Sequence, residues 1–265
     1  MSRIADRLEA LRKTSSRIGF GMAGSSAAVR RMLILVGLRT IPAEETLSAI
    51  RGNADSVVVI GDGEGGELSV RDAVVAAGDM PVGVRLWRGA PLAEVVSDSG
   101  CDFVICDADG PAELLLLEGV GCLVEVAPGV ESSRLRAIGA LGVEAVLLST
   151  GSLDVRALGV AIECRRVCMM TGRQVVLQVG QPISSDLVSV LWRAGVGALF
   201  IDASDGTQLL ASARTAVDGA SYESRQSVHG TSVSIGAHIA NVNGSLLEEE
   251  EDGDDDDGGD DDEEE

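Results

Sequence analysis

The sequence predicts an α/β fold, a (β/α)8 barrel of the TIM type, in which eight parallel strands close into a ring inside a layer of helices. Eight short runs rich in Val, Ile and Leu recur roughly 24 residues apart along the chain. These runs do not alternate apolar and polar residues, as expected of parallel strands that are covered on both faces. Helical patterns lie between the runs. An open, doubly wound sheet built from the same units is the alternative.

Eight strands are predicted, in order, at residues 33–38, 57–60, 82–86, 103–106, 123–126, 145–148, 175–179 and 198–201. Several of the helices between them have clear start signals. Pro42 and Pro111 each stand near a first helical position and are followed by acidic residues, which the helix dipole favours. Ser184 or Ser185 is suited to cap the helix that follows the seventh strand. Residues 33–219 are therefore predicted to form the barrel.

The two ends of the chain differ from this repeating part. Residues 1–32 are predicted to form an N-terminal helix and a cover for the barrel floor. Residues 220–247 are rich in Ser, Gly and Asn, which predicts a loose C-terminal extension. Residues 248–265 carry 15 Asp or Glu and no Lys or Arg. Because such a run repels itself and buries nothing, this acidic tail is predicted to be disordered.

The charge of the chain excludes some partners and favours others. The formal net charge is −21, but without the tail 27 acidic residues face 21 basic ones, which leaves −6. No basic stripe is present, so nucleic acid is not an expected partner. The tail suits a basic protein partner, and association into a homo-oligomer is left open. No apolar stretch is long enough to span a membrane, so a cytoplasmic protein with free, packed cysteine thiols is expected.

Polar residues interrupt three of the predicted strands. These residues are Arg85, Glu125 and Gln178, on the third, fifth and seventh strands. An ion in the apolar layer between strands and helices would be prohibitively unstable, so the three side chains are expected to face the barrel interior. Alternate strands contribute to the same interior layer of such a barrel, so the three should lie at one height. The four even-numbered strands end in Asp62, Asp107, Ser149 and Asp202.

This arrangement predicts a metal site at the mouth of the barrel. A rim of carboxylates with a single arginine favours a cation, and a divalent metal such as magnesium or manganese prefers oxygen ligands. A buried Arg85–Glu125 pair that only fills the interior is the alternative. The segment "VVVIGDGEGG" poses a similar choice, because Asp62 and Glu64 follow a buried strand either in a solvated turn or in the wall of an active site.

The order of these features resembles the HpcH/HpaI-type metal-dependent pyruvate aldolases, with citrate lyase β chains as relatives. The resemblance covers residues 33–219: "ADSVVVIGDGEGG" is similar to the second strand of the family, "VGVRLW" to the third and "LVEVAPGVES" to the fifth. It implies that Arg85, Asp62 and Glu64 are catalytic. It also implies that Arg85 contacts a small oxo-acid, and Gln178 and Ser149 are expected from their positions in the barrel to help bind that oxo-acid. The metal ligand implied by the resemblance is Glu125, and Asp107 on the carboxylate rim and Asp154 are the further candidate ligands.

The sequence departs from the family pattern at two places. Gly65 stands where the family has a catalytic histidine, and Ser152 stands at or near the position of its second metal ligand, so that Asp154 could take that role only if the loop is remodelled. The function predicted from the resemblance is an aldolase-like lyase that binds an oxo-acid through a divalent metal, with altered or weakened catalysis. Whether the chain is an enzyme is left open, because a non-catalytic scaffold or regulatory subunit is the alternative.

Overall fold

The computed structural model describes residues 2–13, 31–61, 69–86, 96, 100–151, 153–203 and 207–222. Within them, eight parallel strands pair in sequence order and β1 pairs with β8, so the sheet is a closed barrel. The predicted fold is confirmed, and the open sheet is excluded. The strands are β1 Leu33–Leu38, β2 Ser56–Ile60, β3 Val82–Arg85, β4 Phe103–Asp107, β5 Gly121–Val126, β6 Ala145–Leu148, β7 Gln174–Gln178 and β8 Val196–Asp202.

Helices follow most of the strands in the described part of the chain. They are α1 Arg3–Lys13, α2 Glu44–Asn53, α3 Val70–Ala77, α4 Ser132–Ala140, α5 Leu158–Thr171, α6 Ser185–Arg193 and α7 Thr207–Asp218. The predicted cap of α6 is Ser184, whose hydroxyl accepts a hydrogen bond from the backbone N–H of Leu187 at 3.2 Å. Pro111 precedes a short 3-10 helix, Ala112–Leu116, because few residues separate the end of β4 from the start of β5. None of the described helices is long and apolar enough to cross a membrane.

The first helix lies across the N-terminal ends of the strands, where the sequence predicts a cover for the barrel floor. Ile4 and Leu8 are buried on its inner face. Asp102, immediately before β4, accepts hydrogen bonds from the hydroxyl of Ser2 at 2.9 Å and from the backbone N–H groups of Arg3 at 2.8 Å and Ile4 at 2.9 Å. The first N–H groups of a helix have no partner within the helix, so this distant carboxylate satisfies them.

The barrel interior is filled by two phenylalanines below the mouth. Phe103 and Phe200 are fully buried, and each lies against a glycine of a neighbouring strand. A Cβ added at Gly83 would come within 2.3 Å of the Phe103 ring, and one added at Gly37 within 2.9 Å of the Phe200 ring and 2.5 Å of Ile60. The glycines are therefore needed for close packing rather than for backbone freedom.

Candidate functional site

Arg85 and Glu125 form an ion pair inside the barrel. The Nε atom of Arg85 donates to Oε2 of Glu125 at 2.9 Å, and Nη2 donates to Oε1 at 2.5 Å. The same guanidinium lies 5.8 Å from the centroid of the Phe200 ring. Because Arg85 belongs to β3 while its neighbours belong to β5 and β8, it can reach both only through the interior. The expectation that the two side chains meet there is confirmed.

Glu125 is held from a second direction by Ser149, which follows β6. The Ser149 hydroxyl donates a short hydrogen bond to Oε1 of Glu125, so both carboxylate oxygens have partners. The side chain of Arg85 is 25% exposed and that of Glu125 20%, which leaves the pair accessible at the C-terminal end of the strands. This is the end at which barrel enzymes carry their active sites.

Gln178 completes the layer that the sequence predicts on alternate strands. It ends β7 and pairs in register with Phe200. Its backbone carbonyl accepts a hydrogen bond from the hydroxyl of Thr150 at 3.2 Å. Its half-buried side-chain amide makes no hydrogen bond to any residue that the structure describes, so the amide is available to a ligand at the mouth.

The predicted metal ligands do not form a three-ligand cluster in the described part of the chain, although Asp107 and Glu125 are register partners on β4 and β5. Both oxygens of Glu125 are engaged, Asp107 is exposed and accepts from the backbone of Asp109, and Asp154 binds a side chain two residues away. That side chain is Arg156, at 2.9 Å and 3.1 Å, and its hydrogen bonds hold the pKa of Asp154 at about 2. In the ranges that the structure describes, no three His, Cys, Asp or Glu side chains are close enough to hold a metal ion.

The charge count behind the predicted cation site was incomplete. Three carboxylates at the mouth each pair with an arginine: Glu125 with Arg85, Asp154 with Arg156, and Asp202 with Arg39. The sequence prediction weighed a single arginine against the rim. Arg39 follows β1 directly, so it carried the same strand-end signal as the acids but was overlooked. These pairs neutralise much of the charge of the described rim, although Asp107, which ends β4, has no arginine partner among the described residues.

Asp62 and Glu64 after β2, and Ser152 after β6, lie outside the described residues, as do residues 223–265 with the acidic tail. The catalytic roles of Asp62 and Glu64 stay predictions.

Two of the cysteine thiols are deeply buried and unreactive at neutral pH. All five are free, and four of them are buried. Burial raises the pKa of the Cys101 and Cys164 thiols to about 12, so neither is a thiolate at neutral pH. These two are packing residues, as the sequence suggests.

A cavity of about 420 Å³ lies at the opposite end of the barrel from this cluster. Leu8 and Glu9 of α1 form one wall, and Glu118, Glu144 and Arg173 lie on loops that lead into strands. Residues at this N-terminal face of a barrel generally serve stability rather than chemistry. The polar cluster at the mouth is therefore the candidate functional site.

No family model matches this sequence, and no curated protein sequence matches it. The fold is similar to solved structures of tryptophan synthase. One is the ligand-free form from M. tuberculosis, with a TM-score of 0.58, 15% identity, and coverage of 83% of this chain and 99% of that chain. Another is a mutant alpha subunit from the hyperthermophile Pyrococcus furiosus, with a TM-score of 0.52, 18% identity, and coverage of 71% and 93%.

These structures overturn the family that the sequence suggested. Tryptophan synthase alpha subunits form a different family of barrels from the HpcH/HpaI-type aldolases, so the predicted resemblance is wrong. The predicted function, a metal-dependent oxo-acid aldolase, is therefore also wrong, and the described residues contain no metal site. The misleading signal was an arginine on the third strand and a glutamate on the fifth. In this chain the two bind each other.

Proposed function

We propose that the mouth of this barrel binds a small polar metabolite without a metal, and that Glu125 is the acid–base group of the site. The observation that carries the proposal is the position of Glu125 inside the barrel, held by Arg85 and Ser149 yet still partly exposed at the C-terminal end. A general acid or base must be both positioned and accessible to the group with which it exchanges a proton.

Packing alone is a poor explanation of this cluster. The layers below it are filled by buried aromatic and aliphatic side chains, including Phe200 and Phe103. Replacing a buried ion pair by apolar side chains of similar volume is often neutral or stabilising. Arg85 and Glu125 therefore contribute little to stability that apolar residues could not supply, which favours a role in binding or chemistry.

The cluster has donors left for a ligand. Nη1 of Arg85 makes no hydrogen bond to the described residues, and neither does the side-chain amide of Gln178. These groups would hold an oxygen of the metabolite on which negative charge develops, while Glu125 takes or gives a proton nearby. Such an arrangement suits a lyase or an isomerase that works by proton transfer.

The similarity of fold suggests where to begin. Because the chain covers nearly the whole length of a tryptophan synthase chain, the reaction of tryptophan synthase alpha subunits is the first activity to assay. The proposal does not depend on that reaction, since an identity of 15% shows the fold alone.

The test is a thermal-shift screen of small metabolites in the presence of a metal chelator. A ligand that binds the folded state raises the melting temperature with concentration. Arg85→Met should abolish the shift. Glu125→Gln should retain binding but lower turnover by about 10²–10⁴-fold, the usual contribution of general acid–base catalysis.

A matched control lies on the outer surface. Glu163 and Arg166 of α5 form a pair of the same two-bonded geometry, at 2.9 Å and 2.6 Å, with side chains 17% and 27% exposed. Glu163→Gln should leave ligand binding unchanged. A ligand whose shift survives Arg85→Met, or is lost on chelation, would contradict the proposal.

A further inference from the structure

The edge of Arg85 that faces Glu125 is the edge that carboxylate ligands use. Its Nε–H and Nη2–H groups are parallel and donate to the two carboxylate oxygens of Glu125. Arginine recognises ligand carboxylates through the same two-bonded arrangement. In this structure, a side chain of the protein occupies that position.

We infer that Glu125 competes with the ligand for Arg85, so that the metabolite is an organic carboxylate and its binding displaces Glu125 from the guanidinium. The inference rests on the proposed function, because it concerns the same mouth. In the free protein Glu125 holds the position of the ligand carboxylate. In the complex the ligand takes this position, and Glu125 keeps the hydrogen bond from Ser149.

Exposure makes such an exchange feasible for this pair. Arg85 and Glu125 are a quarter and a fifth exposed, and Ser149 provides a partner that Glu125 keeps after it leaves the guanidinium. The Arg214–Asp55 pair, by contrast, is too buried and too fully bonded to exchange its partner. Arg214 is only 8% exposed and binds Asp55 at 2.6 Å as well as a backbone carbonyl.

Charge favours a carboxylate over other ligand classes. A cation would meet the positive guanidinium directly, and a neutral ligand would leave Arg85 paired with Glu125. A carboxylate replaces Glu125 with a group of the same charge and geometry, so the guanidinium stays neutralised throughout. Each carboxylate accepts the same two charge-assisted hydrogen bonds, so a ligand must compete with a carboxylate that the protein already holds beside the guanidinium.

The experiment compares acetate with acetamide, which has the same shape and no charge. Binding is titrated by NMR without metal in the wild type, Glu125→Gln, Arg85→Met and the control Glu163→Gln. Glu125→Gln should bind acetate at least about tenfold more tightly than the wild type, because the charged competitor is gone while the shape of the side chain is kept. Acetamide should gain nothing, Arg85→Met should bind neither, and the control should match the wild type.

Glu125→Ala provides a second readout if Glu125→Gln folds poorly. It leaves an open position beside Arg85, so acetate should raise its melting temperature more than acetamide or chloride does. Equal acetate affinity in the wild type and Glu125→Gln, or equal stabilisation of Glu125→Ala by acetate and acetamide, overturns the inference.

The two proposals fail in different ways. If the metabolite screen finds only uncharged ligands that require Arg85, the proposed function stands and the carboxylate inference falls. If acetate stabilises Glu125→Ala while no metabolite of any class binds the wild type, the carboxylate position stands and the proposed function falls.

Discussion

The ion pair inside the barrel should be worth more to stability than its counterpart on the surface. Breaking a fully buried pair by removing one partner costs about 3–5 kcal/mol, whereas exposed pairs contribute about 0–1 kcal/mol. Arg85 and Glu125 are mostly but not fully buried, so an intermediate value is expected. Arg85→Met or Glu125→Leu alone should destabilise the fold by about 2 kcal/mol, which in a barrel of this size lowers the melting temperature by about 4–8 °C.

A double-mutant cycle measured by urea unfolding isolates the coupling between the two side chains. The variant that carries both changes should lose less than about 1 kcal/mol, because neither charge is left without its partner. The same cycle on Asp154 and Arg156, whose two-bonded pair has side chains 48% and 66% exposed, should give a much smaller coupling, because solvent screens exposed charges. Equal coupling in the two cycles would refute the view that the barrel interior strengthens the pair.

Three further changes test other parts of the structure. Asp102→Ala removes four hydrogen bonds from residues 2–4 at the start of α1, so it should cost about 2 kcal/mol in urea unfolding and speed amide exchange in that helix; unchanged exchange would contradict the capping role. Gly83→Ala should cost about 1–3 kcal/mol, because its Cβ would overlap the aromatic ring below, whereas Gly52→Ala meets no atom within 4 Å and should slightly stabilise its helix. The hydrogen bonds from Arg156 lower the pKa of Asp154 to about 2. The small stabilisation by this pair is therefore present above the ordinary pKa of an aspartate and is lost as the pH falls toward 2. Asp154→Asn should flatten the dependence of unfolding free energy on pH only in that acidic range.

The fold could be predicted because each strand leaves its own local signal. Runs such as residues 145–148 are apolar throughout and buried on both faces, and the spacing between runs leaves room for a crossover helix. The limits of the strands were harder to place. Gly121 and Gln174 begin strands, yet neither belongs to an apolar run. Both lie at the floor of the barrel, where Gly121 packs against Ser2 and Phe103 and Gln174 lies near α1.

The site could be predicted only in part, because partners depend on three-dimensional register. Arg85 and Glu125 were expected to meet, since both interrupt apolar strands and have nowhere else to go. Arg39 and Asp202 stand 163 residues apart, and only the pairing of β1 with β8 brings them together. The side chain of Asp154 could point into the mouth or along its own loop, and no pattern in the sequence distinguishes the two.

The attachment of the first helix has a consequence for the order in which the chain can fold during synthesis. The residues of α1 leave the ribosome early, but the carboxylate that holds them, Asp102, follows about a hundred residues later. Short isolated helices are marginal in water, so α1 gains its lasting partner only when β4 arrives. The ring itself closes only when β8 reaches β1. Although α1 is synthesised before the strands, it is therefore among the last elements to be fixed, which predicts slow folding governed by contacts between distant parts of the sequence.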